Sequence, residues 1–164
     1  MKAQANSKPP NRLGQKSVFL RCDLAALDAL EVESVGAFCW SDVAPLVGPV
    51  GYIDWRLCGA LSRTIEKRQF EADLFEVMLT PVSSRLTVHR LFVFGLGQTS
   101  EVSTTNIRKA CRKAYEVMTL AGVKRMVFAV PSAREKPELE EQFINALEAE
   151  LPGLIELVLT EYEL

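Results

Sequence analysis

The sequence predicts an α/β fold with three layers (α/β/α) and a mixed sheet of six strands. The main observation lies in residues 91–120, where four apolar residues run into Gly95-Leu96-Gly97 and an amphipathic segment then begins at Thr104. This pattern is typical of a buried strand that breaks into a glycine turn and a helix. A second apolar run at 123–130 completes a βαβ unit, which needs a parallel sheet with helices packed on it.

A second observation makes the predicted sheet mixed. Residues 72–79 and 86–94 both have the composition of strands, and only residues 80–85 join them. Because so short a link permits only an antiparallel pair, one strand must run against the parallel part of the sheet.

The first half of the chain begins with a polar segment, 1–16, that we expect to be a flexible arm before a single domain at 17–164. A strand is predicted at 17–22, then a helix at 24–30 that Asp23 can cap, and a second strand at 35–40. Residues 41–51 contain two prolines and two glycines, which indicates a loop of the kind that lines sites. From about Asp54 an amphipathic helix is predicted, with Gly59 inside it at some cost in stability.

After the central unit, Pro137 suits the first turn of a helix. An alternative start is Ser132, because Ser132 and Glu135 have the spacing of a capping box. Pro152-Gly153 ends this helix, and residues 154–160 form a last apolar strand. The sequence therefore predicts six strands and four helices, without a repeat or a linker.

Composition excludes several classes of protein. The chain has 164 residues, 48% of them hydrophobic and 24% charged, and a net charge of −2, so no global charge attracts nucleic acid or acidic lipid. No apolar run approaches the length of a membrane span, and the N-terminus lacks the apolar core of a signal peptide. The four cysteines lie far apart in apolar or amphipathic segments, so we expect buried free thiols in a cytoplasmic protein.

Two features of the central unit are candidate binding sites. The glycine turn at Gly95, Leu96, Gly97, Gln98 and Thr99 could hold an anion, but Ser100 replaces the third glycine of a dinucleotide fingerprint, which favours a tight structural turn. The predicted helix after it carries a basic patch, which indicates either an anionic partner or pairing with the glutamate-rich segment 135–164. Its members are Arg108, Lys109, Arg112 and Lys113.

No catalytic set emerges from the residue pattern. His89 is the only histidine, and the carboxylates lie in separate predicted elements, so we expect neither a metal site nor a cofactor. Trp40 and Trp55 flank the 41–51 loop and could stack on a ligand, although the preferred interpretation places both in the core.

Three segments resemble the N-terminal domain of the leucyl (cytosol) aminopeptidases. They are residues 54–62 (DWRLCGALS), residues 90–97 (RLFVFGLG) with the basic helix that follows, and residues 128–131 (FAVP). The resemblance implies a small α/β domain that precedes a two-metal catalytic domain, supports hexamer assembly and in some members takes part in DNA binding. The metal ligands and catalytic signature of that second domain have no counterpart here, so no catalytic residue is transferred. We therefore expect a stand-alone, non-catalytic interaction, assembly or regulatory module, with a protein partner or self-association.

That N-terminal domain is also similar in fold to macrodomains, which bind ADP-ribose, so the expected fold is macro-domain-like. The similarity places a ligand at Asp23, at Gly48 and Gly51, and at the glycine turn 95–99. Two parts of the macrodomain pattern are missing. Residues 38–41 (FCWS) stand in place of its Asn-Ala-Ala-Asn segment, and residues 133–136 (AREK) stand in place of its glycine-rich phosphate loop. A small-molecule binding or hydrolysing macrodomain is thus the alternative function. A DNA-binding accessory domain is a third, less favoured alternative, since we do not expect a nucleic acid as the partner. We do not expect a membrane as a partner either.

Overall fold

One sheet of six strands runs through the molecule in the computed structural model, which describes residues 17–82 and 84–162. The strands are β1 (Val18–Arg21), β2 (Ser34–Cys39), β3 (Val77–Pro81), β4 (Arg90–Gly95), β5 (Val127–Ala129) and β6 (Leu157–Thr160). Their order is β1-β6-β5-β2-β4-β3, and only β3 is antiparallel to its neighbour. The prediction of a mixed six-stranded sheet in an α/β fold is confirmed. The predicted arm at 1–16 lies outside the described residues.

Helices cover both faces of this sheet. They are α1 (Leu24–Asp28), α2 (Gly48–Arg56), α3 (Ala60–Glu66), α4 (Thr104–Leu120) and α5 (Glu138–Glu150), with a 3₁₀ turn at Thr99–Glu101. Helices α4 and α5 bury their apolar residues with one face of the sheet, while α1, α2 and α3 bury theirs with the other. The result is the three-layer arrangement that the alternation of strands and helices predicts.

The α4/α5 side is built around aromatic rings. The ring of Phe38 on β2 lies 4.7 Å from that of Phe143 on α5 and 5.3 Å from that of Phe94 on β4. Helix α4 contributes the apolar stripe that its periodicity predicts, and its members are buried: Ile107, Ala110, Cys111, Ala114 and Met118. On the other side, Ile53, Leu61 and Phe70 are buried against alternate residues of the same strands.

The predicted helix around Gly59 is wrong in its bounds and its continuity. It begins at Gly48 instead of about Asp54, ends at Arg56, and restarts at Ala60 after Cys58 and Gly59, whose φ angles are 54° and 75°. The buried Asp54 carboxylate accepts a hydrogen bond from the Leu61 amide at 2.9 Å and thereby caps the second helix. A left-handed glycine and a side-chain cap together stabilise this break, so α2 and α3 replace one helix.

Other differences concern strand lengths and one thiol. Ala72 and Phe75 have φ angles of 58° and 70°, so the predicted strand at 72–79 joins the ladder only from Val77. The runs predicted at 86–94 and 123–130 likewise shorten to β4 and β5. Cys22, Cys39 and Cys111 are buried as predicted, whereas Cys58 is exposed because it lies in the helix break. None of the helices in the described ranges is long and apolar enough to cross a bilayer.

Candidate functional site

Loops from four strands meet at the carboxyl-terminal edge of the parallel part of the sheet. They follow β2, β4 and β5 at residues 40–47, 96–103 and 130–137, and residues 161–162 follow β6. In open α/β sheets ligands bind outside these strand ends, where loop backbone and helix starts converge. This edge is therefore a candidate ligand site.

The glycine turn at this edge is already hydrogen-bonded to the protein. The amides of Gly95, Leu96 and Gly97 donate to the carbonyl oxygens of Glu76, Cys39 and Ala72 at 2.9, 3.0 and 3.0 Å. A Cβ atom on Gly95 would lie only 2.1 Å from the carbonyl oxygen of Asp73, so close backbone packing explains this glycine. An anion at the turn would have to compete with these internal acceptors.

Thr99 at the end of the turn connects three loops. Its amide and its hydroxyl donate to the Asp42 carboxylate at 2.9 and 2.8 Å, and the Lys136 ammonium donates to the Thr99 hydroxyl at 3.1 Å. These residues line a cleft of about 440 Å³ that also contains Val47 and Arg134. The network joins the loops after β2, β4 and β5, and it leaves a polar cleft between them.

The start of α2 closes against the loop after β5. Gly48 has a φ of 61°, and a Cβ atom there would lie 2.1 Å from the Ser132 hydroxyl oxygen and 3.2 Å from a Glu161 carboxylate oxygen. Below this contact the buried Glu140 carboxylate accepts hydrogen bonds from the Ser132 hydroxyl and the Glu161 amide at 3.4 and 3.0 Å. Burial is the main cause that raises the pKa of Glu140 above its ordinary value. Serine and glutamate side chains of this chain thus fill the space beside Gly48.

The other predicted site residues lie apart from this contact. Asp23 caps α1, where its carboxylate accepts a hydrogen bond from the Ala26 amide at 2.8 Å. Gly51 borders a shallow cleft of about 300 Å³ beside Gly48, and Gln98 is exposed. The structure therefore brings the start of α2 and the end of the glycine turn to the same edge, but it uses Asp23 as a helix cap.

The basic patch on α4 is paired largely within the fold. Arg108 and Arg112 donate to the Glu150 carboxylate of α5 at 3.0 and 2.6 Å, and the Lys113 ammonium donates to the Phe75 carbonyl oxygen at 2.7 Å. The hydrogen bonds from Arg112 and Arg108 lower the pKa of Glu150 below its ordinary value. The remaining residue, Lys109, is exposed.

The two tryptophans have different environments. Trp40 is 2% exposed and belongs to the core, as predicted, whereas Trp55 on α2 is 64% exposed, and its predicted burial is wrong. Tyr52, one helical turn earlier, is 38% exposed, and Leu46 lies beside both residues. We call Leu46, Tyr52 and Trp55 the aromatic face. An open cleft of about 800 Å³ borders it on one side, where α2 breaks into α3.

Sequence reasoning missed several residues that build these surfaces. Asp42, Lys136 and Glu140 lie in loops or in a glutamate-rich helix, where no local pattern separates a partnered side chain from a solvated one. Tyr52 and Trp55 did carry a signal, since they stand three residues apart and Pro49 marks the start of a helix before them. Within the described ranges no group of three His, Cys, Asp or Glu side chains could hold a metal ion.

Comparison with known families gives one match over most of the chain. The family model described as the N-terminal domain of the cytosol aminopeptidase family matches residues 35–151. A probable cytosol aminopeptidase of Geotalea uraniireducens strain Rf4 is 30% identical over 84 residues, which are 51% of this chain and 17% of that relative. The chain therefore matches only a small part of this curated relative.

Solved structures show the same fold at low identity. A mutant of tomato leucine aminopeptidase superposes with a TM-score of 0.61 and 14% identity, covering 90% of this chain and 33% of that one. A macrodomain protein from Streptomyces coelicolor superposes with a TM-score of 0.59 and 14% identity, covering 90% of this chain and all of that one. The fold is thus shared by aminopeptidase N-terminal domains and by macrodomains, as predicted.

Proposed function

This chain belongs to the family of cytosol aminopeptidase N-terminal domains, and from that premise we propose that it is a non-catalytic interaction module. It would assemble with a protein surface, either an aminopeptidase catalytic domain or a second copy of the chain. The tomato enzyme suggests the first partner, because the matched region is 33% of that chain, so this fold occurs there within a larger enzyme. The described residues support the non-catalytic part, because they hold no ligand cluster for a two-metal site.

The observation that carries the proposal is the aromatic face. Tyr52 and Trp55 are 38% and 64% exposed, while Val50 and Ile53 on the same helix are buried in the core. Large aromatic side chains are enriched among the residues that dominate binding energy at protein interfaces. An exposed tryptophan and tyrosine one turn apart, beside the apolar Leu46, therefore form a surface suited to a protein partner.

The test is the molecular mass in solution of the chain, alone and mixed with an aminopeptidase catalytic domain, measured by light scattering after size exclusion. We expect a complex in one of the two samples, and we expect Tyr52→Ser with Trp55→Ser to abolish it. The matched control is Leu120→Ser, because Leu120 is 88% exposed and lies on α4, away from the aromatic face. A complex that survives the double substitution, or no complex in either sample, would contradict the proposal.

A small-molecule function is the second candidate, and the polar cleft at Asp42, Thr99 and Lys136 favours it. The contact between Gly48 and Ser132 opposes a diphosphate there, because Glu161 already places a carboxylate beside the start of α2. We expect ADP-ribose at millimolar concentration to change the melting temperature little, because ligand stabilisation follows occupancy. A saturable rise of several degrees that Asp23→Ala removes would favour the macrodomain function instead.

A nucleic-acid function has less support. Arg108 and Arg112 share the Glu150 carboxylate, so a phosphate would have to displace an internal partner before it gained these contacts. Each phosphate contact also releases counterions, so weak binding would fade quickly as salt rises.

A further inference from the structure

The larger cleft beside the aromatic face has a basic wall. It lies where α2 breaks into α3, has a volume of about 800 Å³ and faces the loop between β3 and β4. Pro45, Leu46 and Trp55 form its apolar part, and Arg56 and Arg85 line it from the end of α2 and from that loop. This cleft does not include the loops at the carboxyl-terminal edge that hold Thr99 and Ser132.

Two guanidinium groups converge on Cys58 at the helix break. Arg63 on α3 donates to the Cys58 carbonyl oxygen at 2.6 Å, and Arg85 contacts the Cys58 sulfur. A thiol is a weak acceptor, and a guanidinium group has five N–H donors, so these contacts use little of the hydrogen-bonding capacity of Arg85. We call the cleft lined by Arg56, Cys58 and Arg85, together with Arg63 bonded to Cys58 next to it, the arginine cleft.

The two carboxylates near the arginine cleft already have partners. Asp54 accepts hydrogen bonds from the Leu61 amide and from the amide and hydroxyl of Ser62. Asp28 pairs with one terminal nitrogen of Arg56, but the Nε atom of Arg56 is buried without a hydrogen-bond partner. The guanidinium group of Arg56 also lies 5.8 Å from the centre of the Trp55 ring. Asp28 therefore balances the charge of Arg56, and the unbalanced charge and unused donors belong to Arg63 and Arg85, near an exposed aromatic ring.

The backbone holds this arrangement at a cost. Cys58 adopts a φ of 54°, which is uncommon and strained for a residue with a Cβ atom. The Asp54 cap on α3 fixes the break, and a Cβ atom on Gly59 would lie 3.2 Å from the Arg63 guanidinium. The side chains at the break are thus held in place before any ligand arrives.

We propose that the arginine cleft binds an acidic peptide segment of a protein partner, with its carboxylates on Arg63 and Arg85 and an apolar side chain on Trp55. Guanidinium groups bind carboxylates with two parallel hydrogen bonds, and Trp55 with Leu46 and Pro45 supplies the apolar contact. A single small anion would fill little of an open cleft of this volume, whereas several residues of peptide would fill it. This inference rests on the proposed function, since it names the chemistry of the partner.

The experiment uses a synthetic peptide, so it needs no known partner. The probe is a fluorescein-labelled hexapeptide of four glutamates around Leu-Pro, and the control peptide has glutamine in place of glutamate. We expect the chain to bind the glutamate peptide. It should bind the glutamine peptide with an affinity at least about tenfold lower, because charge-assisted hydrogen bonds are lost. Fluorescence anisotropy at two salt concentrations measures both affinities, and rising salt should weaken only the first.

Two matched variants separate the cleft from general charge. Arg63→Gln with Arg85→Gln should weaken glutamate-peptide binding about tenfold or more. Lys109→Gln with Lys124→Gln removes the same charge from exposed positions on α4 and the segment after it, and should change affinity less than about twofold. Circular dichroism and the urea midpoint show whether each variant is folded, and Trp55→Ser gives a second route to the same loss.

Several results would overturn this inference. They are no glutamate-peptide binding, equal binding of both peptides, equal loss in both charge variants, or binding of inorganic phosphate or single-stranded DNA in place of the peptide. Self-association that Arg63→Gln with Arg85→Gln abolishes would assign the cleft to a second copy of the chain. If Trp55-dependent assembly persists while the peptide fails to bind, only this inference fails. If the peptide binds but assembly does not depend on the aromatic face, only the proposed function fails.

Discussion

The two sides of the sheet meet their polar requirements in different ways. On the α4/α5 side, the exposed Arg108 and Arg112 share Glu150, whose side chain is 6% exposed, so these charges are paired with one another at the surface. On the α2/α3 side, Arg63 and Arg85 contact only a carbonyl oxygen and a sulfur of Cys58 among the described residues, and Trp55 is exposed beside them. The arginines of the first side share a carboxylate, whereas those of the second side keep unused donors near an exposed aromatic ring.

This difference separates a stabilising surface from a functional one. Paired charges on α4 and α5 give a partner less to gain, because it would have to replace the carboxylate that Arg108 and Arg112 already share. Unused guanidinium donors give a partner more to gain, because no internal acceptor competes for them. The basic helix that the sequence emphasises is therefore less suited to binding than the helix break, which has no pattern of basic residues.

The largest expected effect tests whether the two sides differ only at the surface. Phe143→Ala on the α4/α5 side and Phe70→Ala on the other side both remove a fully buried ring, so each should lower the free energy of unfolding by about 3–5 kcal/mol. Trp55→Ala should change it by less than about 0.5 kcal/mol, because Trp55 is already exposed. Urea denaturation followed by circular dichroism measures all three.

The outcome for Phe70 is informative either way. If Phe70→Ala lowers the free energy of unfolding about as much as Phe143→Ala, the α1–α3 side has an equally well packed core below an open surface. A cost under about 1 kcal/mol would mean that this side is loosely packed throughout, and the comparison would then concern stability and not binding.

A pair of glycine substitutions tests the contact at the start of α2. Gly48→Ala should lower the free energy of unfolding by about 2–4 kcal/mol, because it adds left-handed strain and a clash with the Ser132 hydroxyl. Gly122→Ala is the matched control, since Gly122 also has a positive φ but has no atom within 4 Å of its added Cβ, so it should cost about 1 kcal/mol. Equal costs would mean that the two loops are not in close contact in solution, and a ligand could then enter between them.

Much of the fold follows from the sequence because it depends on local patterns. The apolar stripe from Ile107 to Met118 predicts α4 and its buried face, and the short link at 80–85 predicts the antiparallel β3. The break at Gly59 was missed because Asp54, which caps α3, lies seven positions before Leu61, whose amide donates the hydrogen bond to it. Its effect depends on a folded backbone that a periodicity cannot show.

The candidate surfaces were less predictable for the same reason. Side-chain pairs such as Thr99 with Asp42 and Arg85 with Cys58 join residues 57 and 27 positions apart. Whether Trp55 points into the core or into solvent depends on which side of α2 faces the sheet, and the predicted start of that helix was wrong. The family resemblance identified the domain, and on α2 it pointed to Gly48 and Gly51 and not to the exposure of Tyr52 and Trp55.

The smallest expected effect compares two glutamates of α5 by their dependence on pH. The pKa of Glu150 is lowered by hydrogen bonds from Arg112 and Arg108, so its contribution to stability is present above its ordinary pKa and is lost as pH falls through the lower folded value. The pKa of Glu140 is raised, mainly by burial, so wild type loses stability as pH rises from the ordinary pKa through the raised value. The two carboxylates should therefore give pH trends of opposite sign.

Glu150→Gln and Glu140→Gln test these trends through the difference in the free energy of unfolding from wild type, measured by urea denaturation between pH 3 and 8. Relative to the Glu150→Gln variant, wild type should gain stability as pH rises, because the paired carboxylate forms. Relative to the Glu140→Gln variant, wild type should lose stability over a higher range of pH, because a buried carboxylate must ionise. Trends of the same sign would contradict the comparison. If they matched that of Glu150, the hydrogen bonds to Glu140 would outweigh its burial. No trend for Glu140 would mean that its carboxylate is solvated and that the space beside Gly48 is open to solvent. A Glu140 trend opposite to that of Glu150 agrees with a closed contact at the start of α2. On the α2/α3 side, the break between these two helices is then the part that is open to a partner.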